Sequence, residues 1–297
     1  MKLHQIVEKA TDKSNFQSLT GYIDFCRIYL DYVREGGLQA VIVSQNENQY
    51  QFYQYGESGN FQITRPINSR LMFDAVRFEK AIQDFLSGIR HARQAENPAA
   101  EMLNQTVYTI QQSIGAALDA LPAGRSNTAR KLNGDLFEQL IRLIINELGL
   151  NCKAGVMKVP VIVDGEQVFK MSYQHDLIIE HSGEVKIFGS VKTSSKDRLD
   201  KIFVDKFLYN RLTSTDIPHI AVFLNDVQRK NTKRENEYGI SSTFLPGHFK
   251  GYTVKLNPLD GVYYCDIRPS MATEPILKDH IRTFDRLILE DIWKFLD

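Results

Sequence analysis

Asp176, Lys192 and Asp205 are the side chains of this 297-residue sequence whose types and spacing best suit a reaction. They lie in one stretch, Gln174 to Lys206, that reads as a strand, a turn, a second strand ending at Lys192 and then a helix. Sixteen residues separate Asp176 from Lys192, enough for two short strands about the Ser182-Gly183 turn, so the two side chains can meet at one end of a hairpin. Asp205, thirteen residues beyond Lys192, can approach the same point from the helix. Two acids and a lysine around one point suit metal-assisted hydrolysis of a phosphodiester. A divalent ion holds the phosphate oxygen, carboxylates hold the ion, and the lysine orients or deprotonates a water or stabilises developing charge.

The surrounding pattern supplies elements to hold these groups. Strands are expected at 159–163, 168–173, 176–180 and 185–191, each with β-branched or aromatic residues and polar turns between them. Leu199, Ile202, Phe203, Phe207 and Leu208 predict a helix over 197–212, and a clean strand follows Pro218 over 219–224. Strand, helix, strand in that order implies a crossover and at least partly parallel pairing. Upstream, 128–148 reads as a helix ended by Gly149, and stepping at about 100° per residue puts Glu138 at the edge of its apolar arc, able to face a sheet. Further strands are expected at 252–256 and 262–267, and a helix from Pro275 to Leu296.

Before Leu121–Asn127, a cluster of helix breakers, the chain mixes helical and strand patterns. A helix is expected near 16–35, strands at 38–44 and 49–55, then two long helices marked by Leu71 to Phe85 and Met102 to Leu118. The expected organisation is therefore an N-terminal, mostly helical α+β lobe over 1–124 and an α/β domain over 125–297 with a mixed central sheet flanked by helices. The aromatic run Tyr50 to Tyr55 is expected to pack in a sheet rather than stack on bases.

At Asp176 with Ser190-Val191-Lys192, the chain resembles the PD-(D/E)xK nuclease superfamily, and the longer SVKTSSKDR resembles the CCGG-type branch of Type II restriction endonucleases. The resemblance covers roughly 130–211, under a third of the chain. It implies a restriction-endonuclease-like fold that cuts double-stranded DNA with Mg2+ and leaves 5′-phosphate ends. That branch often lacks the acid two residues before the lysine, where Ser190 stands here, and takes a carboxylate from the following helix, which Asp205 fits. Asp176, Asp205 and the Val191 carbonyl would hold metal, with Glu138 a ligand directly or through water, and Lys192 would handle the water. His175, not a proline, precedes Asp176, which leaves Asp164 as a rival for the first metal acid.

Lys196-Asp197-Arg198 begins the helix, with 193–195 able to cap it. Arginine bridges both guanine acceptors, aspartate accepts from cytosine N4 and lysine adds a guanine or phosphate contact, so the three suit neighbouring C:G pairs. The resembled branch reads a CC and GG core with this cluster. A palindromic target requires two sites about a two-fold axis, hence a homodimer or a dimer of dimers.

Composition bounds these readings. With 36 basic and 36 acidic side chains the formal net charge is zero, which argues against a sequence-indifferent coater of DNA. Charge is local instead: seven Lys/Arg face three Asp between Lys186 and Arg211, and Arg229, Lys230, Lys233 and Arg234 form a second basic cluster. Cys26, Cys152 and Cys265 lack metal or redox spacing and read as reduced, buried thiols. No long apolar run and no signal-like start is present, so the expectation is a cytoplasmic protein without a membrane partner. Rival readings are a repair or recombination nuclease that cuts without a fixed site, a Ser190–Lys192 acyl-transfer dyad, and a non-catalytic DNA-binding protein with an incomplete metal site.

Overall fold

The computed structural model describes residues 1–57, 60–93, 100–122, 124–196, 198–234 and 236–296. Its strands in chain order begin with β1 (Ala40–Val43), β2 (Tyr50–Glu57), β3 (Asn60–Ile63) and β4 (Ile67–Asn68). They continue with β5 (Asn151–Val163), β6 (Glu166–His181), β7 (Glu184–Ser194), β8 (His219–Asn225), β9 (Val227–Asn231), β10 (Tyr238–Ser242), β11 (Gly261–Tyr264) and β12 (Ile281–Thr283). The longer helices are α1 (Leu3–Thr11), α2 (Leu19–Arg34), α3 (Ala75–Arg90), α4 (Ala100–Asp119), α5 (Ser126–Glu147), α6 (Leu199–Thr213) and α7 (Pro246–Lys255). They form two compact units, Met1–Leu140 with Asp226–Thr243, and Ile141–Asn225 with Phe244–Asp297.

In the first unit α4 is buried on nearly every side, as expected of a helix whose apolar residues do not keep to one stripe, and α1, α2 and α3 pack around it. Ser18 and Asp74 start α2 and α3 by accepting backbone N–H bonds. Asp74 therefore sets the beginning of α3 at Ala75, after Leu71. Tyr50 and Phe52 of β2 are fully buried, in line with packing rather than base stacking, and Val227 and Ile240 of the β9–β10 hairpin cover them.

In the second unit six strands run in the order β12-β11-β8-β7-β6-β5. β5, β6 and β7 form an antiparallel meander, whereas β7, β8, β11 and β12 are parallel, with α6 connecting β7 to β8. The expected mixed sheet flanked by helices is what the chain forms. The meander turns at Asp164-Gly165 and Ser182-Gly183, all four at positive φ, as the tightest hairpin turns demand. The strands expected at 168–173 and 176–180 are one continuous strand, β6.

Two expectations at the C-terminal end fail. Residues 252–256 are not a strand: Pro246 opens α7, whose Phe249 and Thr253 are buried while Val254 is exposed, a helical spacing that local alternation disguised. The helix expected over 275–296 is interrupted, because Ile281 is drawn into the sheet as β12, pairing with Val262. Helical structure resumes at Phe284 and includes a π-helical turn over Leu287–Asp291.

Candidate active site

β6 pairs with β7 only from Leu177↔Gly189 to His181↔Glu184. Before Leu177 it parts from β7, and its register with β5 shifts between Lys153/Gly155. Asp176 sits at this irregularity. A bulge of this kind redirects a side chain, here toward the point where β7 runs on alone beside β8. Asp176 is 8% exposed. Its Oδ2 accepts the Val191 N–H at 2.8 Å and the Lys192 ammonium at 2.5 Å. Lys192 keeps 29% of its side chain in solvent, so the pair lies at a mouth, buried on the acid side and open on the lysine side.

Arg142 holds this corner from behind, donating through Nη1 to the Asp176 carbonyl at 3.2 Å. The sequence reading missed it, although Arg142 lies four residues past Glu138 and so near it along α5. His175 packs on the other side of the bulge, its ring stacked at 4.1 Å on Phe188 and edge-on to Tyr209 and His219. Burial, then the neighbouring His219, then Lys201 lower its pKa to about 4, so it is a neutral packing residue at pH 7. His219 is lowered too, mainly by burial, against a bond from Nδ1 to the Ile217 carbonyl.

The other expected site residues lie on several elements. Asp205 is on α6, ion-paired with Lys201 one turn earlier, and does not join the Asp176–Lys192 contact. Ser190 is half-buried on β7, two residues before Lys192. Glu138 is partly buried on α5 within the first unit. Asp164 occupies the far turn of the β5–β6 hairpin, and twelve residues of strand at about 3.3 Å each put it tens of ångströms from Lys192, so Asp176 is the acid beside the lysine.

Lys196 and Arg198 are exposed where the chain enters α6; Asp197 lies outside the described residues. Arg198 is the N-cap and makes no side-chain cap bond, while Ser194 Oγ accepts the Lys196 N–H at 3.2 Å. Ser194 thus bonds the backbone just ahead of the helix, whose N-cap is Arg198.

Among the described residues no group of three or more His, Cys, Asp or Glu side chains is arranged to hold a metal. Magnesium needs less than that, one or two carboxylates with the rest water, and Asp176 Oδ1 takes part in neither of the bonds above. The donor set fits such an ion through Asp176.

The architecture has solved counterparts. A crystal structure of the Type IIP restriction endonuclease Kpn2I superposes with a TM-score of 0.72 at 15% identity, over 99% of this chain and 97% of that one. The fold is restriction-endonuclease-like. A complex of the restriction endonuclease PspGI with its substrate DNA aligns over 74% of this chain and 91% of that one, at 15% identity and a TM-score of 0.42, too distant to carry an argument. No protein-family model and no curated protein matches the sequence. No helix among the described residues is long and apolar enough to cross a membrane.

Proposed function

We propose that the chain is a Type II restriction endonuclease, a cytoplasmic enzyme that hydrolyses both strands of duplex DNA at a site containing C:G pairs and leaves 5′-phosphate ends. The observation that carries this reading is the contact of Asp176 with both the Val191 N–H and the Lys192 ammonium, at the point where β6 leaves β7 in a restriction-endonuclease-like fold.

Asp176 would hold Mg2+ through Oδ1, with the Val191 carbonyl, Asp205 and Glu138 as further ligands, directly or through water. The ion, when bound, supplies charge to a phosphate oxygen and acidity to a water. The chain's own groups do the rest. Lys192 carries a proton on Nζ between the buried carboxylate and solvent, placed to orient the attacking water and to offset charge developing on the phosphate. The backbone N–H of Val191 fixes one carboxylate oxygen, so Asp176 cannot rotate away when the lysine turns toward substrate. Lys196, Asp197 and Arg198 would read neighbouring C:G pairs from the groove. Cutting both strands of a palindrome calls for two such chains, as a homodimer or a dimer of dimers.

The test is digestion of plasmid DNA with magnesium, followed by sequencing of the ends. Discrete fragments with one shared terminal sequence are expected, and Lys192→Ala should produce none while still retaining specific duplex in calcium. Random ends would replace the restriction reading by a repair or recombination nuclease. No cutting by the wild type, with specific binding intact, would leave a DNA-binding protein without catalysis.

A further inference from the structure

Beyond the corner at Asp176 the β5–β6 hairpin runs out as two strands without a third, paired from Gly155↔His175 to Val163↔Glu166. Two strands alone are marginal in water, and α6 steadies one face of this ribbon, where Val159 and Tyr173 are buried beside Tyr209, Leu208 and Leu212. The opposite face is bare. Side chains alternate along a strand, so Gln174, Ser172 and Lys170 of β6 share that face with Lys158, which stands directly across from Ser172. The register shift after Val161 brings Gln167 to it as well. All five side chains are exposed, and among the described residues none has a hydrogen-bond or ion-pair partner. The two acids of the outer hairpin are elsewhere: Glu166 pairs with Val163 on the face that α6 steadies further in, and Asp164 lies in the turn.

We propose that this bare face is a backbone clamp for the duplex on one side of the cut, with Lys158 and Lys170 on phosphates. The inference rests on the nuclease reading only in placing the scissile phosphate at Lys192. Charge selects the occupant. The face carries two ammonium groups, three neutral polar side chains and no carboxylate, which suits a polyanion. Continuity selects it again, because the strand that bears Lys170 leads directly to Asp176, and a duplex engaged at the corner has the ribbon within reach. Ser172, and with it Lys158, is four residues from Asp176 and Lys170 is six, or about 13 Å and about 20 Å of strand. At about 3.4 Å of helix axis per base pair, those are contacts about four and about six base pairs beyond the cut phosphate. Phosphate contacts carry no sequence information, so the clamp adds affinity and a need for flanking duplex without changing which site is read.

The test uses the full chain and a duplex of arbitrary sequence, about 30 base pairs long, in calcium, with affinity measured by fluorescence anisotropy from about 50 to about 200 mM salt. In a Lys158→Ala, Lys170→Ala double variant the slope of log affinity against log salt should fall by about 1.8, two phosphate contacts at about 0.9 each, and affinity at about 0.1 M salt should fall at least about tenfold. Both side chains are exposed, so the variant is expected to keep the circular dichroism of the parent. Should it misfold, acetylation of the wild type answers instead: Lys158 and Lys170 should react more slowly once the duplex is added. An unchanged slope and affinity, or acetylation indifferent to the duplex, would each overturn the proposal. So would a variant that keeps its duplex affinity but loses affinity for polyglutamate, which would give the face to an acidic protein. In cleavage the parent should cut its mapped site slowly with about three base pairs outside it and rapidly with about twelve, and the variant should cut both at the slower rate; equal rates for the parent would overturn the clamp. A parent that binds duplex through these lysines yet cuts no plasmid overturns the nuclease reading and leaves the clamp standing. Discrete plasmid fragments with an unchanged slope in the variant do the reverse.

Discussion

Replacing Lys192 by Ala tests the corner on which the proposed chemistry rests, and its cost follows from the exposure of the two partners. Breaking a fully buried ion pair by deleting one member costs about 3–5 kcal/mol, because the survivor is left charged and unpaired. Here Asp176 keeps only 10% of its side chain in solvent but Lys192 keeps 29%, and the Asp176 Oδ2 retains the Val191 N–H at 2.8 Å. The loss should therefore be about 1–3 kcal/mol. The converse change should cost less. In Asp176→Ala the lysine stem is flexible and already near the surface, so its ammonium can turn into water, for a loss of about 1 kcal/mol or below. Thermal unfolding reads both, at about 2–4 °C per kcal/mol for a chain of this size class. Calcium should restore the Lys192→Ala variant more than it stabilises the parent, since the ion replaces the missing positive charge at Asp176. In the cleavage assay the same variant should lose at least about a hundredfold in rate. A Lys192→Ala protein as stable as the parent, or less destabilised than Asp176→Ala, would refute the argument that the acid is the buried and dependent member of the pair.

Two further outcomes follow from the surroundings of that pair. With the His175 pKa lowered to about 4 from an ordinary 6.5, the unfolded chain takes up a proton that the folded chain refuses as the pH falls between those values. Stability is thus full above pH 6.5 and declines by about 3 kcal/mol toward pH 4, with the buried His219 adding in the same direction. His175→Phe, which keeps the ring on Phe188, should flatten that decline in urea unfolding measured across the pH range, and an unchanged slope would contradict it. Arg142→Met should lower the cleavage rate constant by about tenfold with little change in DNA affinity or melting temperature, because it frees the Asp176 backbone without touching substrate. Arg142→Lys should restore part of the rate, and equal losses in binding and rate would show a merely structural role.

The legible parts of the sequence were those where the decisive interaction is local or strongly periodic. β7, α6 and β8 announce themselves through Val185 to Val191, Leu199 to Leu208 and His219 to Leu224, and the spacing of Asp176 and Lys192 about one glycine turn was enough to foresee their contact. What escaped was decided by distant partners. Arg229, Lys230, Lys233 and Arg234 read as a basic cluster, yet the chain there builds the β9–β10 hairpin because Val227 and Ile240 cover Tyr50 and Phe52, while the Arg229 guanidinium lies over Tyr238 and donates to the Ile63 carbonyl. A sequence window cannot see a core that lies more than 160 residues away. Asp205 is the instructive opposite. Its partner Lys201 is four residues away on the same helix, a spacing readable from the start, and that local ion pair now competes with any role at the metal. For Asp205 to serve as the second carboxylate it must give up Lys201, exchanging an exposed ion pair worth well under about 1 kcal/mol for coordination of a divalent ion. Lys201→Ala should therefore leave cleavage intact or improve its magnesium dependence, and a Lys201→Ala enzyme that needs more magnesium than the parent would remove Asp205 from the proposed ligand set.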